Sequence, residues 1–337
     1  MGNTSALILA AALALGAATQ TESRSAGSRW IGAVDPQAAE EVRREVIESM
    51  PHRVDRAAAA ASNMCGVAWG TIQWSVELRR PPLGARGAAA CVTDRGGSIA
   101  AHRVIVFPSL LARDADEIDE TLRHELIHVL HREAAGSGAE RAPTWIQEGI
   151  VVTLTGEGPV LLARALASSL GAKPSAASDP HLEGFLRVLG AAERLQKSAS
   201  VLAREWIRSQ TPTALAAASF GVAEADLEAA SQEASRRAWA RAASAGREEA
   251  AILRDLCESA PVDEALTRLV RYRSEHPNSW YWTVPAVALA ERCLASAAAA
   301  PLRRLQDLLE EKRNYLPDDA RARWERVRRS LAVAPNR

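Results

Sequence analysis

Apolar positions along this chain change their period near residue 110. Before that point they come in short bouts. After Asp35-Pro36, a cap-and-first-turn pair, Val42, Val46 and Ile47 form the stripe of a helix running to about Ser49. From Thr71 to Leu78, Ile72, Trp74, Val76 and Leu78 alternate with polar residues, the period-two signature of a half-buried strand, which Pro81-Pro82 and Gly84 end. Ala88 to Thr93 reads as a second strand, Asp94-Arg95-Gly96-Gly97 as a turn, and Ser98 to Phe107 as a third strand that Pro108 stops.

Beyond residue 110 the period becomes helical. A long helix is expected from Ala115 to Glu133, then a loop at Gly136-Ser137-Gly138, then a helix opened by Pro143. Further helices are expected over Leu182–Leu195, Ala199–Ser209, Pro212–Ala218 and Glu224–Ala243, with the Ala-, Ser- and Pro-rich stretch Gly171 to Pro180 looping out. After Ser244 the pattern gives four more helices, broken near Ser259-Ala260-Pro261, His276-Pro277-Asn278, Pro301 and Leu316-Pro317. That spacing suits antiparallel helical hairpins, and no residue pattern recurs as a named repeat. The Trp280-Tyr281-Trp282 cluster fits either a recognition surface or, as is commoner for aromatics in helical hairpins, a core. The fold class is therefore α+β: a domain over 30–243 with a small N-terminal β-sheet, followed by an all-α helical-hairpin region over 244–337.

Composition narrows the function classes. Lys+Arg and Asp+Glu are both 41, and the net charge is zero. The basic residues lie interleaved with acidic ones, so the chain lacks the basic excess that phosphate neutralisation needs, and nucleic acid is not an expected partner. Leu7 to Ala18 is an uncharged run too short for a membrane span. Its length fits the core of a secretory signal over residues 1–20, with Gly16-Ala17-Ala18 offering small residues for cleavage, although no Lys or Arg precedes it. Export to a periplasmic or extracellular space is the expectation, an uncleaved N-terminus the alternative, and no other segment is apolar enough to span a bilayer. The four cysteines fall as Cys65 with Cys91 and Cys257 with Cys293, without a C-x-x-C pair, so a cysteine zinc site is not expected. In an oxidising compartment each pair could close a disulfide; four buried thiols fit the sequence equally well.

The chemistry concentrates in Leu122-Arg123-His124-Glu125-Leu126-Ile127-His128-Val129-Leu130. Residues four apart on a helix lie one above the other, so His124 and His128 present two imidazoles to one point, a spacing that suits zinc. Glu125 can reach a water at the metal without ligating it. Leu122, Leu126, Ile127, Val129 and Leu130 cover the remaining faces, so the polar trio would be buried, which is costly unless it is paired or metallated. In Pro143-Thr144-Trp145-Ile146-Gln147-Glu148-Gly149, Glu148 stands one turn into the next helix. A short connection over Gly136–Ala142 folds that helix back and aims the carboxylate at the same point. Two His and one Glu leave a fourth position open, the arrangement of a catalytic zinc.

With these residues the chain resembles the gluzincin peptidases, in particular the peptidase MA-like domains, in which a strand leads into a His-Glu-x-x-His helix and a Pro-x-Trp-x-x-Glu-Gly segment supplies the third ligand. The matching positions are His124, Glu125, His128, Pro143, Trp145, Glu148 and Gly149, and more loosely Phe220-Gly221 with Asp226-Leu227-Glu228. The resemblance is firm from Val104 to Thr155. It implies a zincin-like fold and a Zn2+-dependent peptidase acting on peptide or protein substrate, with His124, His128 and Glu148 as metal ligands and Glu125 as catalytic base. The chain departs from thermolysin-like members at Val152, where they carry a carboxylate, and from metzincins at His131 and Ala134, where those carry Gly and a third His. Glu120, one turn before His124, is a candidate to orient a ligand; His131 could be a spare ligand, and no oxyanion partner is assigned beyond a guess at His181. The rival functional expectation is a catalytically inactive zincin-like scaffold whose C-terminal helices bind a partner protein.

Overall fold

The computed structural model describes residues 30–34, 44–69, 73–78, 87–93, 99–106, 115–168, 179–244, 246–276 and 279–333. The expected signal segment, the Asp35 cap, the Asp94–Gly97 turn and most of the Gly171–Pro180 loop lie outside them. By its contacts the chain divides into two compact units. The first comprises Met1–Thr155 with Ser200–Ala218, the second Gly156–Ala199 with Ser219–Arg337. The expected boundary at Ser244 thus falls inside the second unit.

The first unit holds a four-stranded mixed sheet in the order β1-β2-β4-β3, with β1 at Trp30–Val34, β2 at Gln73–Leu78, β3 at Gly87–Thr93 and β4 at Ile99–Val106. β1 and β4 run parallel to β2, while β3 runs antiparallel to β4. The three expected strands form within a residue or two of their predicted bounds, and β1 is an addition that no alternation announced. In the β2–β4 register Trp74 faces His102 and Val76 faces Val104, so Trp74, Val76, His102, Val104 and Val106 share one buried face.

Helix α1, Arg44–Cys65, extends sixteen residues past the expected end at Ser49 and carries Pro51 within it. Val46, Met50, Val54, Ala57, Ala58, Ala61 and Cys65 form its buried stripe. That stripe, and the high propensity of the alanine run, outweigh the missing proline donor. Its C-terminus turns at Gly66, where φ is +61°; the Arg208 guanidinium occupies the space a Cβ would need, and Arg204 Nε donates to Met64 O at 2.7 Å. Cations at a helix C-terminus meet the unsatisfied carbonyls and the negative end of the dipole.

Helix α2, Ala115–Ala135, is the long helix expected, and Arg53 of α1 clamps it by pairing with Asp119 at 2.7 Å. The expected Gly136–Gly138 loop begins with a left-handed Gly136 (φ +54°) but then winds into a five-residue helix, α3, Ser137–Arg141. Helix α4, Thr144–Thr155, follows Pro143 as predicted and packs back on α2. Helix α5 (Glu157–Ser168) comes next, and α6 (Pro180–Arg194), α7 (Ala199–Ile207), α8 (Pro212–Phe220) and α9 (Leu227–Ser244) match the predicted series. Asp179 caps α6 by accepting from the His181 amide at 2.9 Å, with Pro180 in the first turn. Trp206 of α7, fully buried, meets Trp145 of α4 edge to face at 6.1 Å between centroids.

Among the described residues after Ser244 there are five α-helices where four were expected: α10 (Arg247–Ser259), α11 (Val262–Glu275), α12 (Thr283–Ala295), α13 (Ala299–Glu310) and α14 (Asp318–Val333). Four breaks separate five segments, and Pro301 sits in the first turn of α13 rather than in a gap. Tyr281 and Trp282 are core residues, 0% and 3% exposed, and Trp280 stacks on Tyr315 at 4.2 Å. Cys257 and Cys293 are buried free thiols, as is Cys65. Among the described residues no single helix is long and apolar enough to cross a membrane.

Candidate metal centre

Helix α2 is buried on almost every side between residues 121 and 131. Leu122, Leu126, Ile127, Val129 and Leu130 are fully buried, and the sheet strands β3 and β4, α1 and α4 pack around it. Such a helix normally carries apolar residues all round. Here four ionisable residues are inside instead: His124, Glu125, His128 and His131, none more than 9% exposed.

The helical offset brings the His124 and His128 rings to 5.1 Å between centroids, inclined at 65°. α4 adds Glu148, whose Oε2 lies 3.5 Å from His124 Nε2 and 3.4 Å from His128 Nε2. The two segments that sequence spacing singled out therefore meet, with the ligand atoms of His124, His128 and Glu148 all within 4.8 Å of one another. Trp145 and Ile146, buried beside Glu148, hold α4 at this depth, and Gln147 ties its side chain to Ala142 O at 2.8 Å.

These separations test whether the residues fit a metal. A charge-assisted N–H···O bond between imidazolium and carboxylate is ordinarily about 2.7–2.9 Å. Ligand atoms placed about 2.0–2.2 Å from one tetrahedral ion lie about 3.3–3.6 Å from each other. The two His–Glu distances fall in the second range, and the two imidazole nitrogens lie within 4.8 Å of one another, so the trio could hold a metal ion.

The electrostatics separate the two carboxylates. Burial pushes the Glu125 carboxyl above its ordinary range and the nearby Glu148 charge pushes the same way, against the pull of His124 and His128. Burial also acts to raise Glu148, but the His128 charge and the close approach of both imidazoles outweigh it and hold Glu148 well below the usual carboxylate value. Two neighbouring acids driven apart in this way suit one as a permanent anion and the other as a proton carrier.

Two further histidines of the first unit are buried: His131, weighed above as a spare ligand, and His102. His131 is 1% exposed, and burial, followed by the charges of His128 and Arg132, brings its pKa down to about 3. His102 on β4 is equally buried, and burial with the Arg132 charge lowers it to about 4. Both are neutral at pH 7. His131 is not part of the converging trio, and His102 shares a period-two row with Val104 and Val106, the pattern that could have marked it as a core residue. Glu120 is half-buried on α2, and His181 pairs with Asp179 at 3.1 Å in the second unit. In the loosely matching segment, Glu228 binds Arg187 through both carboxylate oxygens at 2.8 and 2.9 Å, a clamp between α6 and α9.

No protein-family model, curated protein or solved structure matches this chain.

Proposed function

We propose that the chain is a zinc-dependent peptidase of zincin-like fold. The observation that carries this reading is the convergence of two imidazole nitrogens and the Glu148 carboxylate at separations suited to one small cation. His124 and His128 would hold it through Nε2 and Glu148 through Oε2. A bound zinc supplies Lewis-acid polarisation of a carbonyl and acidification of a water.

Glu125 lies beside the trio on the same helix and is not one of its donors. Its carboxylate accepts the proton of the attacking water and returns it to the nitrogen of the leaving amine. The depressed pKa of Glu148 keeps that carboxylate charged as a donor, so the two acids do not exchange roles. The apolar wall of Leu122, Leu126 and Ile146 excludes water from the reverse side of α2, which strengthens each charge interaction within the site.

Glu125→Gln tests the assignment. The variant should retain one zinc per chain and lose chelator-sensitive cleavage of a peptide library, whereas His124→Ala should lose both. Cleavage by Glu125→Gln at the wild-type rate would overturn the mechanism, and zinc without turnover in the wild type would favour the inactive scaffold. We also propose export directed by the apolar run Leu7–Ala18. Intact mass of the protein recovered from a secreting host should show the chain beginning near Thr19, and a retained Met1 would contradict it.

A further inference from the structure

The second unit carries a charged cavity lined by none of the zinc-site residues. Helices α6 and α9 touch at Gly190, where an added Cβ would lie 2.7 Å from the Ala234 Cβ, and beside this close crossing, with Phe220 of α8, they line a half-open hollow of about 200 Å³. Gly190, Ala234 and Phe220 give the cavity its apolar wall, and Glu193, Arg194, Arg237 and Arg241 give it its charge. Three guanidinium groups against one carboxylate leave an excess of two positive charges.

The arginines are not equivalent. Arg194 is fixed: its Nη1 donates to Ser219 O at 2.5 Å, and its Nη2 lies where a Cβ on Gly221 would come within 2.3 Å. Gly221 adopts φ +67°, so glycine is favoured there for its backbone as well as for the space it leaves the guanidinium. Arg241 pairs with Glu193. Arg237 is only weakly neutralised. Its carboxylate contact among the described residues is Glu233 Oε1 at 3.7 Å, and Arg236 takes the other oxygen of Glu233 at 2.8 Å. A preorganised guanidinium beside an under-neutralised one, on an apolar wall, is a receptor for a planar or tetrahedral oxyanion.

We propose that this cavity binds a small organic anion, its carboxylate or phosphate head between Arg194 and Arg237 and its carbon body against Phe220. The volume suits a metabolite-sized ligand and not a folded partner. The binding needs no zinc and is independent of the peptidase reading.

Calorimetric titration of the full chain at low ionic strength with succinate, with inorganic phosphate and with neutral succinamide tests the site. One equivalent of succinate or phosphate should bind with Kd below about 1 mM, and the preferred probe identifies the head group. Succinamide should not bind. Arg237→Gln alters a side chain that is 64% exposed and should leave the fold intact while weakening binding at least about tenfold. Arg236→Gln, 72% exposed and outside the lining, should leave it unchanged. Absence of saturation, equal binding of succinamide, or equal loss in the Arg236 and Arg237 variants would overturn the proposal.

Discussion

Two groups of buried ionisable side chains in this molecule hold their charge in opposite ways. In the second unit Arg187, 3% exposed, gives Nη2 to Glu183 at 2.5 Å, both Nη atoms to Glu228, and Nη1 to Ser231 at 2.9 Å. Those bonds join α6 to α9, and both carboxylates still reach water, at 45% and 57% exposure. In the first unit His124, His128 and Glu148 come together at 3.4–3.5 Å, too far for strong mutual hydrogen bonds, and Glu125 is buried beside them. The Arg187 network turns both Nη atoms onto acceptors at ordinary hydrogen-bond distances. The trio of α2 and α4 instead brings three ligand atoms within 4.8 Å of one another. The contrast separates a clamp from a receptor: both bury charge, and the direction and spacing of the donors tell them apart.

The largest expected effect sharpens the chemical side of this contrast. Glu125→Gln should lower peptidase turnover by about 100- to 10,000-fold, the range of a lost general base, with zinc content and thermal midpoint preserved. Next, His128→Ala should weaken zinc binding by at least about 100-fold, more than the loss of a supporting group commonly costs. Competition with a chromogenic chelator measures it, and the stabilisation that zinc confers on the wild type should vanish with it.

The site was legible in the sequence because helix periodicity converts a spacing of four residues directly into a spatial neighbour, and because Pro143 and the short connection before it return α4 onto α2. The sheet was legible where polar residues alternate with apolar ones, as in β2. β1 was not, since the five residues Trp-Ile-Gly-Ala-Val carry no polar alternation and pair only through contacts distant in sequence. The length of α1 was hidden by Pro51, whose local preference is overruled by tertiary burial of the stripe from Val46 to Cys65. The burial of His102 was not legible because a lone histidine has no spacing partner to reveal it, and His131, weighed as a spare ligand from its place near the motif, is a core residue outside the trio.

Those two histidines predict an acid-sensitive first unit. Each folded-state pKa, about 4 and about 3, lies below the ordinary value of 6.5, so the unfolded chain binds more protons between those limits. Stability from their neutral burial is complete above about pH 6.5 and is lost as the pH falls towards 4 and then 3. The loss should be on the order of a few kcal/mol, read from denaturant midpoints across pH, and His131→Leu should flatten the profile. An unchanged slope in that variant would remove His131 from the account.

The smallest expected effect belongs to the clamp. Arg187→Met should cost about 2 kcal/mol, since the charged hydrogen bonds are lost but Glu183 and Glu228 remain able to hydrate. It should leave zinc content and peptide cleavage at wild-type levels. A loss of zinc in that variant would mean that the two buried charge groups are coupled, and the contrast between clamp and receptor would fail.

The most direct measurement is anomalous diffraction at the zinc edge from crystals of the chain grown with one equivalent of zinc. A single anomalous peak bound by His124 Nε2, His128 Nε2 and the Glu148 carboxylate, with one position left for solvent, is the predicted result. A peak elsewhere, or a fourth protein ligand closing the ion off, would contradict it.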